Sequence, residues 1–182
     1  MLAKSTERLN IRNFTAEDAI GLHAIILGYN ASPYASYDHQ WPTELNEIKK
    51  VTEWFASASD YLAVCLKDEG ALIGLITLNP GSDPNGNAYH LGYIFDFNHH
   101  GHGYATEACS ALITDTFDNT DAKYLSSGTA KANTPSRNLL ERLGFQITSE
   151  QKASFHKDEQ GQPIEFPALT YTLPKSLWEE RG

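Results

Sequence analysis

Cysteine is scarce in this 182-residue chain: Cys65 and Cys109 lie far apart and form no Cys-x-x-Cys pair. That excludes a disulfide framework and offers no zinc-ligand spacing. Basic residues are also few, with 14 Lys and Arg against 23 Asp and Glu, a formal net charge of −9. Without a basic stripe to neutralise phosphates, a nucleic-acid partner is excluded. Long apolar runs are missing too. The opening "MLAKSTERLN" has no apolar core of a signal peptide, and no stretch approaches the roughly 20 residues of a membrane span. These absences lead us to expect a cytoplasmic protein with no membrane partner. The acidity suits a cationic partner such as an amine, and it serves solubility equally well.

What is present is an ordinary globular composition, 41% hydrophobic and 20% charged, with no repeat and no long linker. One domain over residues 1–182 is expected. "RLNIRNF" alternates and reads as a strand over residues 8–14. Thr15, with Asp18 three residues on, caps a helix to about Tyr29. Residues 30–42 read as loop, broken by Pro33 and Pro42, and Thr43 caps a second helix with Leu45, Ile48, Thr52 and Phe55 on one face. "YLAVCLKDEGALIGLITL" is a hairpin turning at Lys67–Gly70. "GSDPNGN" is a turn, and a strand follows over residues 88–95. Then come a helix from His102 to about Thr116, a strand over 123–129, a short helix over 135–143 stopped by Gly144, and two closing strands. This order specifies a mixed α/β sheet with helices on its faces.

The stretch "FDFNHHGHGYATEA", residues 95–108, joins the strand at 88–95 to the next helix. The first turn of a helix presents N–H groups without intrahelical partners, and the macrodipole adds positive charge. Gly101 and Gly103 let the backbone approach a ligand closely. The combination is an anion cradle suited to a pyrophosphate, made of main chain that leaves no mark on the net charge. A Walker loop would need Lys and then Ser or Thr after its last glycine, whereas Tyr104 and Ala105 follow Gly103. A dinucleotide fingerprint would need an acidic residue at the end of the next strand, and Asp121 precedes that strand. His99, His100 and His102 diverge around a turn with no Cys or carboxylate at ligand spacing, so no metal is expected.

The run His100-Gly101-His102-Gly103-Tyr104-Ala105 resembles the pyrophosphate signature of the GNAT superfamily of acetyl-CoA-dependent N-acyltransferases, Gln/Arg-x-x-Gly-x-Gly/Ala, with His at the first position. "RLNIRNFTAEDA", "LIGLITL" and "NTPSRNLLERLGF" are similar to that family's opening strand and helix, its central hairpin and its second signature. "LGYIFDFNHHGHGYATEA" is similar, more narrowly, to the branch that acetylates N-terminal alanine or serine of ribosomal proteins. The resemblance covers nearly the whole chain. It implies a mixed, mostly antiparallel sheet of six or seven strands, splayed between residues 88–95 and 123–129. It also implies acetyl-CoA as co-substrate, with no metal, and a bulge near Phe95 that frees a backbone N–H for the thioester oxygen. Phe95, His100, Gly101, His102, Gly103, Tyr104, Ala105 and Thr106 would surround the cofactor, and Asn133 would meet its arm. Ser136 matches a hydroxyl proposed in that branch to protonate the leaving thiolate; the tyrosine used elsewhere in the superfamily is replaced by Leu140, which leaves the general acid open between Ser136, a water and another tyrosine, with Ser136 equally a first-turn residue bonded to backbone. Dimers are frequent in the branch.

In "AYHLGYIF" His90 stands where the branch carries a glutamate base. A neutral imidazole can accept a proton there, and Gly92 beside it would leave room for a ligand; a buried histidine hydrogen-bonded to backbone is the alternative. Direct attack by a primary amine needs a proton acceptor, an oxyanion donor and alignment, but no covalent enzyme intermediate. Cys65 and Cys109 fall in apolar segments without a partner to activate them. Tyr34, Tyr37 and Trp41, with Tyr29, Asp38 and Glu44, lie where the family builds its acceptor mouth, and such aromatics also close satellite cores. The acceptor stays open between a protein N-terminus, favoured by the branch, and a polyamine, aminoglycoside or amino acid. A noncatalytic acyl-CoA sensor or a scaffold protein would use the same fold differently.

Overall fold

The computed structural model describes residues 4–81 and 86–181, so the turn read at residues 81–87 lies largely outside them. The strands are β1 (Lys4–Ser5), β2 (Leu9–Asn13), β3 (Tyr61–Leu66), β4 (Leu72–Pro80), β5 (Ala88–Phe95), β6 (Tyr124–Ala130), β7 (Gln146–Lys157) and β8 (Pro163–Pro174). The helices are α1 (Ala19–Asn30), α2 (Leu45–Ser57), α3 (Tyr104–Asn119), α4 (Thr134–Leu143) and α5 (Lys175–Glu179). All eight strands form one sheet in the order β1-β2-β3-β4-β5-β6-β8-β7. Among the described residues only β5 and β6 pair in parallel; the other neighbours are antiparallel. The extra strand is β1, whose two residues are too few to show any alternation.

Strands β3 and β4 are buried from Leu62 to Cys65 and from Ile73 to Ile76, on both faces, because helices cover both sides of the sheet. On one side α3 and α4 bury Leu112, Ile113 and Leu140 against Leu91, Phe95, Leu125 and Tyr171. On the other, α1 and α2 bury Leu22, Ile26, Ile48 and Phe55 against Ala63, Leu75 and Ile94. The strand residues of this second core come from β3, β4 and β5, so among the described residues no α-helix covers the same face of β6 and β8, where only the short 3₁₀ turn Ala35–Tyr37 reaches Phe166. That asymmetry leaves an approach to the centre of the sheet from one side.

The capping read at Thr15 is present: the Asp18 carboxylate accepts the Thr15 N–H at 2.8 Å and takes a bidentate pair from Arg12 at 2.7 Å. Thr43 does not cap α2. Glu44 holds that position in extended conformation, and the Thr43 carbonyl instead accepts from His23 Nε2 at 2.7 Å. Helix α3 starts at Tyr104, two residues later than His102, because Gly103 at φ +82° lies in the left-handed region and cannot be part of the helix.

Candidate active site

The parallel ladder between β5 and β6 has three pairs, Ala88–Tyr124, Tyr89–Leu125 and His90–Ser126, and then stops. Beyond it the two strands splay into a wedge. Asp96 N–H donates to Ile73 O at 2.9 Å, so even-numbered residues of β5 bond to β4. Odd-numbered residues therefore turn their main-chain groups towards β6. The contacts agree: Asn87 O accepts from Lys123, Leu91 O from Ser127 Oγ at 2.8 Å, and Phe95 O from His100 Nε2 at 3.1 Å. The N–H and C=O of Tyr93 and the N–H of Phe95 are left facing the wedge. The bulge expected near Phe95 is not there. The β4–β5 register runs unbroken from Gly74–Phe95 to Pro80–Tyr89, and the shift lies in the β3–β4 ladder at Val64/Cys65. Ladder alternation alone frees the Phe95 N–H.

At the end of β5 the chain makes a 3₁₀ turn, Phe97–His99, capped by Asp96. Gly101 and Gly103 sit at φ +80° and +82°, and α3 follows. Its first amide with a partner in this region is that of Glu107, which donates to Gly103 O at 3.0 Å. The amides from Gly101 to Thr106 meet no acceptor among the described residues, so the loop presents a run of donors. The three histidine rings are each engaged elsewhere: His99 with Asp96 at 2.9 Å, His100 with Phe95 O, and His102 with His100 O at 2.9 Å. They shape the loop and do not converge on one point.

Two residues that the sequence did not single out hold this loop in place. Glu107 accepts from Thr6 Oγ1 at 2.5 Å, Arg8 N at 2.9 Å and Arg8 Nε at 2.7 Å. Arg8 also donates to His102 O at 2.9 Å and lies 4.6 Å from the Tyr104 ring centroid. Burial would raise the Glu107 carboxyl, but the bonds from Thr6 and Arg8 prevail and hold it below its usual range. The only hint in the sequence was Glu107 in the first turn of a helix; its partner is 99 residues away.

His90 occupies the last ladder pair, at the apex of the wedge, on the face that lacks helical cover over β6. Its Nδ1 lies 3.1 Å from Ser126 Oγ, and Ser126 in turn donates to Tyr89 O at 3.4 Å. If Ser126 spends its proton on Tyr89, it accepts from Nδ1–H, leaving Nε2 as the basic nitrogen. Surrounding protein pushes the imidazole below its ordinary pKa, so it is neutral at pH 7. Asn79 pairs with His90 across the β4–β5 ladder, and its buried Oδ1 has no partner among the described residues. Gly92 does not leave room for a ligand: a Cβ there would meet Thr77 Oγ1 at 2.5 Å, so the space belongs to Thr77.

On the opposite face Ser136 lies in the first turn of α4, whose N-cap is Asn133. Asn133 Oδ1 accepts the Ser136 N–H at 3.2 Å, so half of this side chain is committed to capping. Tyr93 reaches across the wedge to Ser136, with its hydroxyl 2.9 Å from Oγ and 3.2 Å from the carbonyl. Burial raises the Tyr93 phenol above its ordinary value, which keeps it protonated. Leu140 is fully buried in the core. Both thiols are buried and raised by desolvation, Cys109 to about 12, the opposite of nucleophile activation.

The three aromatics read as an acceptor mouth separate. Tyr34 stacks on Phe97 at 6.5 Å and Tyr37 packs on Phe166 at 5.0 Å, so this loop crosses from the end of β5 to the β7–β8 arm. Trp41 packs on Phe55 and lines a groove with Asn30, Gln40, His156 and Ile164. Tyr29 is raised by burial, with Asp38 adding to the shift.

A family model described as an acetyltransferase (GNAT) domain matches residues 8–146. An uncharacterised N-acetyltransferase p20 of Bacillus licheniformis is 28% identical over an alignment of 148 residues that covers 78% of this chain and 80% of that protein. A GNAT-family acetyltransferase from Bacillus anthracis superposes with a TM-score of 0.80 at 22% identity, over 97% of this chain and 99% of that one. A ribosomal-protein-S5-alanine acetyltransferase from Vibrio fischeri does so at 0.78 and 17% identity, over 98% and 99%. With the splayed sheet and the donor-lined loop in place, the chain belongs to the GNAT family of acetyltransferases.

Proposed function

We propose that the protein transfers the acetyl group of acetyl-CoA directly to a protein N-terminal amine, in the cytoplasm, with residues 1–182 acting as one catalytic unit. The run of unpartnered amides from Gly101 to Thr106 at the start of α3 carries the cofactor half of this reading. Such donors, with the helix dipole behind them, suit a pyrophosphate and need no lysine. Phe95, His100 and Asn133 border the same wedge, and the open main-chain groups of Tyr93 can pair with an extended amide-bearing arm as a further strand would.

The chain's own residues then divide the work. Asn79 Oδ1 accepts from the incoming ammonium, and His90 Nε2 takes the proton that must leave before nitrogen can attack. The Phe95 N–H donates to the developing oxyanion. Ser136, held by Tyr93, donates to the departing sulfur. Acetyl-CoA supplies the activated acyl group. The likeness to a ribosomal-protein-alanine acetyltransferase supports a protein acceptor. Trp41, with Tyr34 and Tyr37 as the loop's anchors, forms the acceptor side.

Thiol release measured with peptides beginning in Ala or Ser, with spermidine and with an aminoglycoside tests the reading. Turnover of the peptides alone supports it. Turnover of a small amine alone would replace the acceptor, and acetyl-CoA binding without turnover of any amine would make the protein a sensor.

A further inference from the structure

We propose that two copies of this chain associate through the β7 edge of the sheet, pairing antiparallel about a twofold axis at Gln151. Strand β7 ends the sheet order, and its outer side meets no strand among the described residues. It runs for 12 residues, Gln146–Lys157, all exposed except Ala153 and His156, with no Pro or Gly. A long edge strand offers a row of unpaired main-chain groups to a second strand. Two bulges, between Ile147 and Ser149 and between Ala153 and His156, bend its ends, but Ser149–Ala153 pairs with β8 without a break. Which groups point outwards follows from that ladder. Pro167 turns its carbonyl to β6, where it accepts from the Lys131 N–H at 2.9 Å. Lys152 stands opposite Pro167, so the two form a non-hydrogen-bonded pair and Lys152 turns its own N–H and C=O to the open edge. Glu150, two residues back on the same regular segment, does likewise.

Charge selects both the register and the occupant. Hydrogen-bonded pairs across the seam join outward-facing residues, so Glu150 of one copy meets Glu150 or Lys152 of the other, or Lys152 meets Lys152. The two like-charged registers set equal charges directly against each other, which destabilises a cross-strand pair. The remaining register sets Glu150 of each copy opposite Lys152 of the other, twice, with Gln151 meeting itself on the axis. That self-matching pattern is what an isologous twofold contact requires. The side chains already stand in line for it. Within one copy Glu150 holds Lys131 at 2.8 Å and Lys152 holds Glu165 at 2.7 Å. Glu150 and Lys152 pair with Leu169 and Pro167, alternate residues of β8 that share a face with Glu165. Joining the copies therefore makes one row of alternating sign, Lys131 and Glu150 from one copy followed by Lys152 and Glu165 from the other, and the axis repeats it. The edge also departs from the charge of the whole. Against a net charge of −9, Gln146–Lys157 carries one Glu and two Lys, so two acidic copies meet here without the repulsion of their other surfaces. The bulged ends confine the seam to Ser149–Ala153, an interface below about 1,200 Å², so monomer and dimer exchange with concentration.

Sedimentation velocity of the full chain, from low micromolar to near-millimolar concentration, should show monomer giving way to dimer. Lys152→Glu and Glu150→Lys each turn two opposite-charge pairs into two like-charge pairs and should weaken association at least tenfold. The variant carrying both exchanges the charges, restores both pairs and should return to within about threefold of wild type. The ion pairs it loses inside each copy are exposed and contribute little to the fold. Gln151→Cys reads the register directly. The axis makes Gln151 a non-hydrogen-bonded pair with itself, with Cα atoms about 4.5 Å apart, so mild oxidation should link two copies by a disulfide. Glu150→Cys and Lys152→Cys should stay unlinked, and the native Cys65 and Cys109 are buried away from the exchange. A chain that remains monomeric throughout overturns the proposal. So does a dimer that the single charge reversals leave intact, one that the double variant fails to restore, or preferential linkage through Glu150→Cys or Lys152→Cys. None of these outcomes bears on acetyl transfer, which thiol release reads separately.

Discussion

Replacing His90 by Ala removes the imidazole of the last ladder pair at the apex of the wedge, with Ser126 on one side and Asn79 on the other. Positioned general bases contribute about 10²–10⁴ in rate, or roughly 3–5 kcal/mol of barrier at about 1.4 kcal/mol per tenfold. His90→Ala should therefore lower kcat by that factor, with acetyl-CoA affinity near wild type, because the loop amides lie beyond the end of β5 at the start of α3, which packs on the opposite face of the sheet. Ser126→Ala should cost less, about three- to tenfold, since it releases the tautomer but leaves the ring. Partial desolvation by the surrounding protein depresses the imidazole although His90 keeps solvent access, so the acidic limb of the kcat/KM profile should lie below the ordinary histidine value of about 6.5. In His90→Glu the same desolvation acts in the opposite sense and raises the carboxyl. Much of the rate should return, and the limb should move to lower pH by less than the roughly 2 units separating the ordinary values. Initial rates with a verified acceptor across pH 6 to 9 measure all of this. Full activity of His90→Ala over that range would refute the assignment and hand the proton to solvent.

Gly103→Val places a branched side chain at φ +82° against Arg8 Nη2, 3.4 Å from the added Cβ, which distorts the start of the donor run and should weaken acetyl-CoA binding at least tenfold by calorimetry. Gly70→Val is the control for backbone strain alone: at φ +67° with open space around it, it should lose stability yet bind normally. Wild-type binding by Gly103→Val would end the cradle reading. Tyr93→Phe removes the hydroxyl bonded to Ser136 and keeps the ring, so its effect on kcat should match that of Ser136→Ala and the double variant should fall no further. Multiplying penalties would mean that the two act separately. Incubation with acetyl-CoA alone should leave the protein unmodified by mass spectrometry, since both thiols are buried and raised. An acetyl adduct on Cys65 or Cys109 that an amine discharges would require a ping-pong route instead.

Most of the elements, and the glycine turn that leads into α3, were legible in the sequence. An alternating run marked β2, two β-rich runs around a turn marked β3 and β4, a Thr15–Asp18 pair marked the start of the first helix, and two glycines before a helical run marked the turn ahead of α3. These signals are local: each depends on neighbours within a few residues, and the left-handed φ at Gly101 and Gly103 is what only glycine adopts readily. What the tertiary structure decided is the set of partners. Register across strands put Asn79 and Ser126 beside His90, and gave Thr77 the space at Gly92 that sequence reasoning had left to a ligand. Chain folding brought Arg8 to Glu107 and Tyr93 to Ser136, contacts between residues 99 and 43 positions apart. It also freed the Phe95 N–H by ladder alternation where a bulge was expected, and divided Tyr34, Tyr37 and Trp41 among three packing neighbours. Propensity and motif are written along the chain, whereas a hydrogen bond between distant residues exists only once the sheet has chosen its register, and a single-residue slip would turn His90 to the opposite face.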